Sequence, residues 1–460
     1  MFAFFYTLGL HLLVFLANIV ALFHPKTRKW VEGQRAKGKG QGARGEGQGA
    51  KGKGQEAKGK GQRAKKDLSF RGMTPVRESK VFWVHAASLG EFEQGRPVIE
   101  AIRAEYPHAR IVLSFFSPSG YEIRKDYDQV DDVCYLPVDT PRNVKRFLDS
   151  VQPDVALFIK YEFWYNYLHE LKNRQIPTFL FSAIFRPNQL FFKPYGGFYR
   201  RMLFCFNEIL VQNEASKQLL NSVGYSSATV AGDTRLDRVV QIAKQAKSYP
   251  AIEAFKGTDP LLVIGSAWPD DMEVLIPFLN QWEAPLKVII APHEINTEQI
   301  QQWQKSLKKH SERFTVYSLR FGVDSLQVGD EGASLDALHS PLDILFLDTI
   351  GMLASLFRYA DFAYVGGAFK DGLHNTMEPA VYGMPIFFGQ PYYQKFQEAL
   401  DLLQLGGATT IATTQEFTTA FTEVYQNLEI RQQKAGSCYD YVQKNAGATA
   451  KVMASIRSAF

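Results

Sequence analysis

From Val81 onward the chain alternates short, continuously apolar runs with helical patterns, and this alternation constrains the fold more than any other feature. VFWVHA (81–86) leads into a helical pattern from about Gly90 to Glu105, and RIVLSFF (110–116), VCYLP (133–137), VALFI (155–159), PTFLFSA (177–183) and EILVQN (208–213) follow. Strands that are apolar on every residue are those buried on both faces, as in a parallel sheet covered by helices. The pattern weakens over Ala243–Asp259 and restarts with LLVIGS (261–266), KVIIAP (287–292), FTVYS (314–318), DILFLD (343–348), DFAYVGG (361–367) and PIFFG (385–389). The expectation is an α/β chain of two Rossmann-like domains with a hinge near 240–260. Helical segments at 416–435 and 438–460 close it. A length of 460 residues agrees with two domains.

Residues 2–23 carry no charge, and 22 residues suffice for a membrane helix. A cleaved signal peptide competes, but the basic n-region is missing and the apolar run is long. Lys26, Arg28 and Lys29 follow at once, so the positive-inside rule keeps the bulk of the chain cytoplasmic. Residues 33–66 repeat with period seven (GQRAKGK, GQGARGE, GQGAKGK, GQEAKGK), without a constant apolar position and with glycine throughout. Such a repeat builds no coiled-coil seam and reads as a disordered tether. Residues 26–66 hold 14 Lys/Arg and 3 acids, a net of +11, which leaves −6 for the rest of a chain whose formal charge is +5. The basic balance therefore belongs to the tether, beside anionic lipid headgroups, and no nucleic-acid partner is expected. The three cysteines (Cys134, Cys205, Cys438) have no CxxC spacing. The domain expectation is a membrane-anchor helix at 1–25 and a basic Gly/Lys/Gln-rich disordered linker at 26–70. An N-terminal Rossmann-like domain at 71–245 and a C-terminal Rossmann-like domain with closing helices at 246–460 then follow.

In two-domain α/β folds ligands sit at the carboxyl ends of strands, and the informative residues lie there. Glu91, in HAASLGEFEQGRP, falls at a helix start just after the first strand, placed to take a proton from a hydroxyl. The plainer alternative is an acid favoured by the helix dipole. Glu93 is a second, less favoured choice. Glu162, in IKYEFWYN, joins an acid to an aromatic ring and an amide, a set that suits a sugar. Arg235, in GDTRLDRV, faces an anion or pairs with Asp233 or Asp237.

The stretch VGGAFKDGLHNTMEPAVYGMPIFFG (365–389) reads as strand, glycine turn, helix and strand. Asn375 and Glu378 have capping-box spacing, and the free amides of a helix start suit a phosphate. With GSAWPDD (265–271), APHE (291–294) and DTIGML (348–353) it makes a nucleotide pocket. Neither a Walker A sequence nor a GxGxxG after the first strand is present, which disfavours NTP hydrolysis and dinucleotide redox chemistry.

On HAASLGEF (85–92), YEFWYN (161–166), GDTRLD (232–237), DTIGML (348–353) and GLHNTMEPAVYGMP (372–385), over about residues 70–440, the chain resembles the Kdo (3-deoxy-D-manno-octulosonic acid) transferases, membrane-associated glycosyltransferases of lipopolysaccharide assembly. The resemblance implies the GT-B architecture, two Rossmann-like domains facing across a cleft. It implies Glu91 as general base, with Glu162 and Arg235 stabilising the transition state. Pro292 and His293, the loop Ile350, Gly351, Met352 and Leu353, and the run Asn375, Thr376, Met377 and Glu378 match CMP-binding segments. The donor is then CMP-Kdo, the acceptor a lipid A precursor, and the place the cytoplasmic face of the inner membrane. A CMP leaving group with one phosphate needs no metal ion or other cofactor, and attack by a deprotonated hydroxyl inverts the anomeric centre. Departures from the family pattern are Leu373 within GGHN, His293 for an arginine, Met352 for an acid, Arg235 for a lysine, and Ser182-Ala183-Ile184 for asparagine-alanine-arginine. Two alternatives stay open: a GT-B enzyme or epimerase that uses a UDP-sugar, and a membrane-tethered binding protein without catalysis.

Overall fold

The computed structural model describes residues 2–35, 79–307, 314–322, 325–328, 342–349, 351–370 and 372–460. These form two compact units, one of Met1–Asp237 with Gly447–Phe460 and one of Arg238–Ala446.

The first unit is built on β1 (Val81–Ala86), β2 (Arg110–Phe115), β3 (Asp132–Tyr135), β4 (Val155–Ile159), β5 (Thr178–Ala183), β6 (Glu208–Val211) and β7 (Ala228–Val230). Their order is β3-β2-β1-β4-β5-β6-β7, and every pairing is parallel. Successive side chains of a strand point to opposite faces. Accordingly Trp83, Ala156 and Phe158 enter one core, while Phe82, Val84, Val155 and Leu157 enter the other. Each large side chain buried in this way contributes about 1.5–3 kcal/mol relative to exposure, which is why strands of the central sheet carry no polar face. The order reverses between β1 and β4, so a crevice opens at the carboxyl ends of those two strands.

The second unit contains β8 (Leu261–Ala267), β9 (Leu286–Pro292), β10 (Phe314–Gly322), β11 (Ser325–Val328), β12 (Leu342–Leu347), β13 (Phe362–Val365), β14 (Ile386–Gly389) and β15 (Ala408–Ile411). The order is β11-β10-β12-β9-β8-β13-β14-β15, with only the β10–β11 pairing antiparallel. Here the switch point lies between β8 and β13.

The division of the chain differs from the expected break at 245/246. The last helix, Ala448–Arg457, belongs to the first unit. Its Val452, Met453 and Ile456 cover the core that holds Phe82 and Leu157, and the Asp237 carboxylate accepts from the amides of Gly447 and Thr449 at its start. An apolar helical face goes where a sheet face needs cover, irrespective of chain order.

The N-terminus also departs from expectation. Helix α1 (Phe2–Val20) has 19 residues, a length of about 28 Å against a bilayer core of about 30 Å. No helix among the described residues is long and apolar enough to cross a membrane. The segment expected to open the disordered linker is instead helix α2 (Pro25–Arg35). Its Trp30 and Val31 are buried with Ala21 and Val138, and the Gln34 amide donates to the Leu136 carbonyl at 2.9 Å. Tyr6 on α1 donates to Asp139 at 2.8 Å. Leu8, Leu12, Leu13, Phe15 and Leu16 of α1 stay exposed. Residues 36–70 of the expected linker lie outside the described residues.

Candidate functional site

The switch point of the first unit brings together the ends of β1 and β4. Helix α3 (Leu89–Glu105) starts three residues after β1, with Ser88 as its extended N-cap and Glu91 in its first turn. Ser88 turns its hydroxyl to Glu91 Oε2 rather than to a backbone amide. Glu91 is partly exposed, while Glu93 is taken up in ion pairs with Arg124 at 2.8 Å and Arg96 at 4.0 Å.

Glu162, just past β4, is 7% exposed. His85 Nε2 lies 3.1 Å from its Oε2, and Trp164 Nε1 donates to the same oxygen at 2.6 Å. His85 is completely buried, and its Nδ1 contacts Ser114 Oγ at 2.9 Å, an oxygen that also accepts from Trp83 Nε1 at 2.8 Å. A chain of buried polar groups thus runs from Trp83 through Ser114 and His85 to Glu162. In the sequence His85 is only one letter of a motif. The signal that could have found it is a histidine as the fifth residue of a strand otherwise built from apolar residues.

Arg235 pairs with Asp233, its Nη2 2.6 Å and its Nε 2.9 Å from Oδ2. Burial by itself raises the Asp233 carboxyl, but the adjacent Arg235 guanidinium and amide, with Gln94, outweigh it and hold the pKa below the usual range. Asp233 also accepts from Gln94 of α3 at 3.3 Å, and Thr234 contacts both the Gln94 carbonyl and Ser182 at the end of β5. Arg235 is thereby tied to the helix that carries Glu91. Of the two carboxylate partners foreseen for it, Asp233 binds it and Asp237 caps the last helix.

In the second unit the loops after β8, β9 and β13 meet. The pair Gly366-Gly367 is required by close approach: a Cβ on Gly366 would lie 2.2 Å from the Ser266 carbonyl oxygen, and Gly367 has φ +97°. Asp271 holds this junction, accepting from the amides of Trp268 and Gly367 and from the Tyr364 hydroxyl, each at 2.9 Å. Burial pushes its pKa up to about 6. Trp268 Nε1 donates to His374 Nε2 at 3.0 Å, and the Trp268 and His293 rings stack at 4.2 Å and 16°. Asp271 and Trp268 were not foreseen as functional residues, although their three-residue spacing after a strand is that of a helix cap.

The expected helix after Asn375 is a single turn, Met377–Ala380, so it supplies little macrodipole. Nor is there a reciprocal capping box. Asn375 Oδ1 accepts from the Met377 amide at 3.1 Å, but its Nδ2 donates to Glu378 Oε1 at 3.2 Å, side chain to side chain. Thr376 is fully buried, and its Oγ1 has no partner among the described residues. Met377 is buried in the core, whereas Glu378 is partly exposed. Enclosure of its carboxyl pushes the Glu378 pKa up to about 6, against the Asn375 hydrogen bond. Pro292 ends β9, and His293 follows it, exposed. Gly351 is exposed at φ +93°, Met352 is buried and accepts from Thr349 Oγ1 through Sδ at 3.3 Å, and Leu353 begins a short helix. Ile350 lies outside the described residues.

Two parallel α/β units with acids and amides at their strand ends have the architecture of the GT-B class. Residues 61–238 match the family model described as 3-deoxy-D-manno-octulosonic-acid transferase (kdotransferase). Among its relatives, the 3-deoxy-D-manno-octulosonic acid transferase of Chlamydia trachomatis is 26% identical over 367 residues, 77% of this chain and 80% of that one. The Aquifex aeolicus enzyme of the same name is 24% identical over 369 residues, 78% and 91% of the two chains. Among solved structures, Acinetobacter baumannii MurG (TM-score 0.54, 14% identity, 82% of this chain and 99% of that one) shares the fold. So does the UDP-GlcNAc 2-epimerase of Neisseria meningitidis (TM-score 0.54, 14% identity, 82% and 100%).

Proposed function

We propose that the chain transfers Kdo from CMP-Kdo to a hydroxyl of a lipid A precursor, with inversion at the anomeric carbon. The observation that carries the reading is the contrast between two carboxylates at adjacent strand ends. Glu91 is partly open with a serine hydroxyl on one oxygen, and Glu162 is buried between His85 and Trp164. Glu91 is the general base: it takes the proton of the acceptor hydroxyl as that oxygen bonds to the anomeric carbon and the bond to the CMP phosphate breaks. Glu162 and Arg235 have fixed positions and supply charge to the transition state without reorganising.

The donor half lies in the second unit. Gly351, Met352 and Leu353, with Ile350, offer main-chain groups to cytosine, and Glu378 accepts from ribose hydroxyls. The phosphate is held by Asn375, Thr376 and Met377 together with Pro292 and His293. The one-turn helix adds little field, so individual hydrogen bonds carry phosphate binding. The exposed apolar face of α1 and the basic residues that follow it suit the cytoplasmic face of the inner membrane. Because Tyr6 ties α1 to the first unit, the helix lies along the surface, with Lys26, Arg28 and Lys29 near anionic headgroups.

The test is mass analysis of a lipid A precursor incubated with CMP-Kdo and the full chain. A gain of one or more Kdo masses, suppressed by CMP and not by UDP, is expected. An unchanged acceptor mass overturns the reading.

A further inference from the structure

The three rings at the strand ends of the second unit form one assembly. Trp268 directly follows β8, His293 follows β9, and His374 sits in the loop after β13. Trp268 stacks on His293, and the His293 and His374 rings lie 4.5 Å apart at 36°. Both ends of the Trp268–His374 hydrogen bond are held by backbone. The Trp268 amide donates to Asp271 at 2.9 Å, the His374 amide donates to the Gly366 carbonyl at 3.2 Å, and a Cβ on Gly367 would come within 3.0 Å of His374 Cδ2.

An indole N–H is a donor only. The His374 Nε2 that receives it must therefore present a lone pair, and in the neutral ring the hydrogen sits on Nδ1. Burial, with His293 alongside, lowers the His374 pKa to about 4, so the ring is neutral at physiological pH. No described residue accepts from Nδ1. The next residue along the chain is Asn375, the start of the segment assigned to the donor phosphate.

We propose that Trp268 is a positioning residue that fixes the His374 imidazole in its Nδ1–H tautomer, so that His374 offers an uncharged N–H to an anionic oxygen of the bound nucleotide sugar. The contact to the ligand rests on the donor site described above, whereas the tautomer does not. A neutral donor of this kind strengthens its bond as negative charge builds on the departing phosphate. It also leaves no fixed cation to hold the nucleotide product.

The experiment uses the full chain labelled with 15N on its histidine rings, with His374→Gln to assign the resonances. The ligand-free protein at pH 7 is expected to show His374 protonated on Nδ1 and not on Nε2, and added CMP is expected to shift the Nδ1–H signal. A ring protonated on Nε2 overturns the proposal without recourse to any variant. Trp268→Phe keeps an aromatic ring for His293 to stack on and removes the N–H. It is expected to move His374 toward the Nε2–H form and to raise the KM for CMP-Kdo about tenfold, the scale of one hydrogen bond, with a smaller change in kcat. A tautomer shift with KM and kcat both unchanged overturns the role of His374 at the ligand. If the wild-type chain transfers no Kdo, the functional reading fails, and the ring spectrum still decides the tautomer.

Discussion

Glu91 and Glu162 stand at neighbouring strand ends in different surroundings, and the proposed function gives them different tasks. A base must be open to its substrate, and Glu91 is. A carboxylate held between the Trp164 N–H and the His85 ring is fixed in place, and Glu162 is one. Glu91→Gln is expected to lower kcat by about 10²–10⁴-fold and to leave the unfolding midpoint within the error of a urea titration. Glu162→Gln is expected to cost activity and also about 1–3 kcal/mol of stability, because His85 and Trp164 lose a charged acceptor inside the core. Glu378 yields a prediction in pH. Its carboxyl accepts ribose hydroxyls best when ionised, and its pKa stands near 6, so the KM for CMP-Kdo should rise as pH falls through about 6. Glu378→Gln should have a higher KM at neutral pH and a flatter KM profile over pH 5–7. At this scale Glu91, Glu162 and Arg235 were visible from their places after strands. His85 and Trp268 were not, because a histidine or tryptophan inside an apolar stretch looks like core until its ring nitrogen is seen to meet a partner.

Among elements, the glycine turn after β13 shows how one close approach organises a site. Gly366 lets the turn after β13 touch the Ser266 carbonyl, and Asp271 closes the junction through the Gly367 amide. Gly366→Ala is expected to cost about 1–3 kcal/mol in urea unfolding, the range for overpacking, and to weaken CMP binding measured by calorimetry. The glycine pair was legible as a place where backbone comes close, but its partner was not, since Ser266 lies a hundred residues earlier. The strands found in advance were the continuously apolar ones. β7, β11 and β15 were passed over because three residues, or the half-polar SLQV and ATTI of edge strands, carry too little pattern. The helix after Asn375 was overestimated for a related reason: capping residues were present, and only packing shows that the turn stops at Ala380.

For the whole molecule, chain order and spatial order part company at both termini. The final helix leaves the second unit's sequence and covers the first unit's sheet, and α1 folds onto the first unit through Tyr6 while Leu8, Leu12, Leu13, Phe15 and Leu16 face outward. That outward face provides a test of membrane seating. Leu12→Lys with Phe15→Lys should weaken cosedimentation with vesicles containing anionic lipid by tenfold or more and leave the unfolding midpoint unchanged, since neither side chain is in the core. Equal binding by wild type and the double variant would remove α1 from the membrane contact.

By itself the sequence determined the class of fold, two parallel α/β units, because strands buried on both faces must be apolar on every residue and that pattern survives in one dimension. It also determined which strand ends carry acids, amides and glycines, because glycine and capping chemistry act within a few residues. Only the tertiary structure decided which of those groups are free and which are held. The hydrogen bonds that settle the matter, His85 to Glu162, Gln94 to Asp233 and Trp268 to His374, join residues 77 to 139 positions apart. Contacts of that separation depend on strand order, and no local pattern encodes strand order.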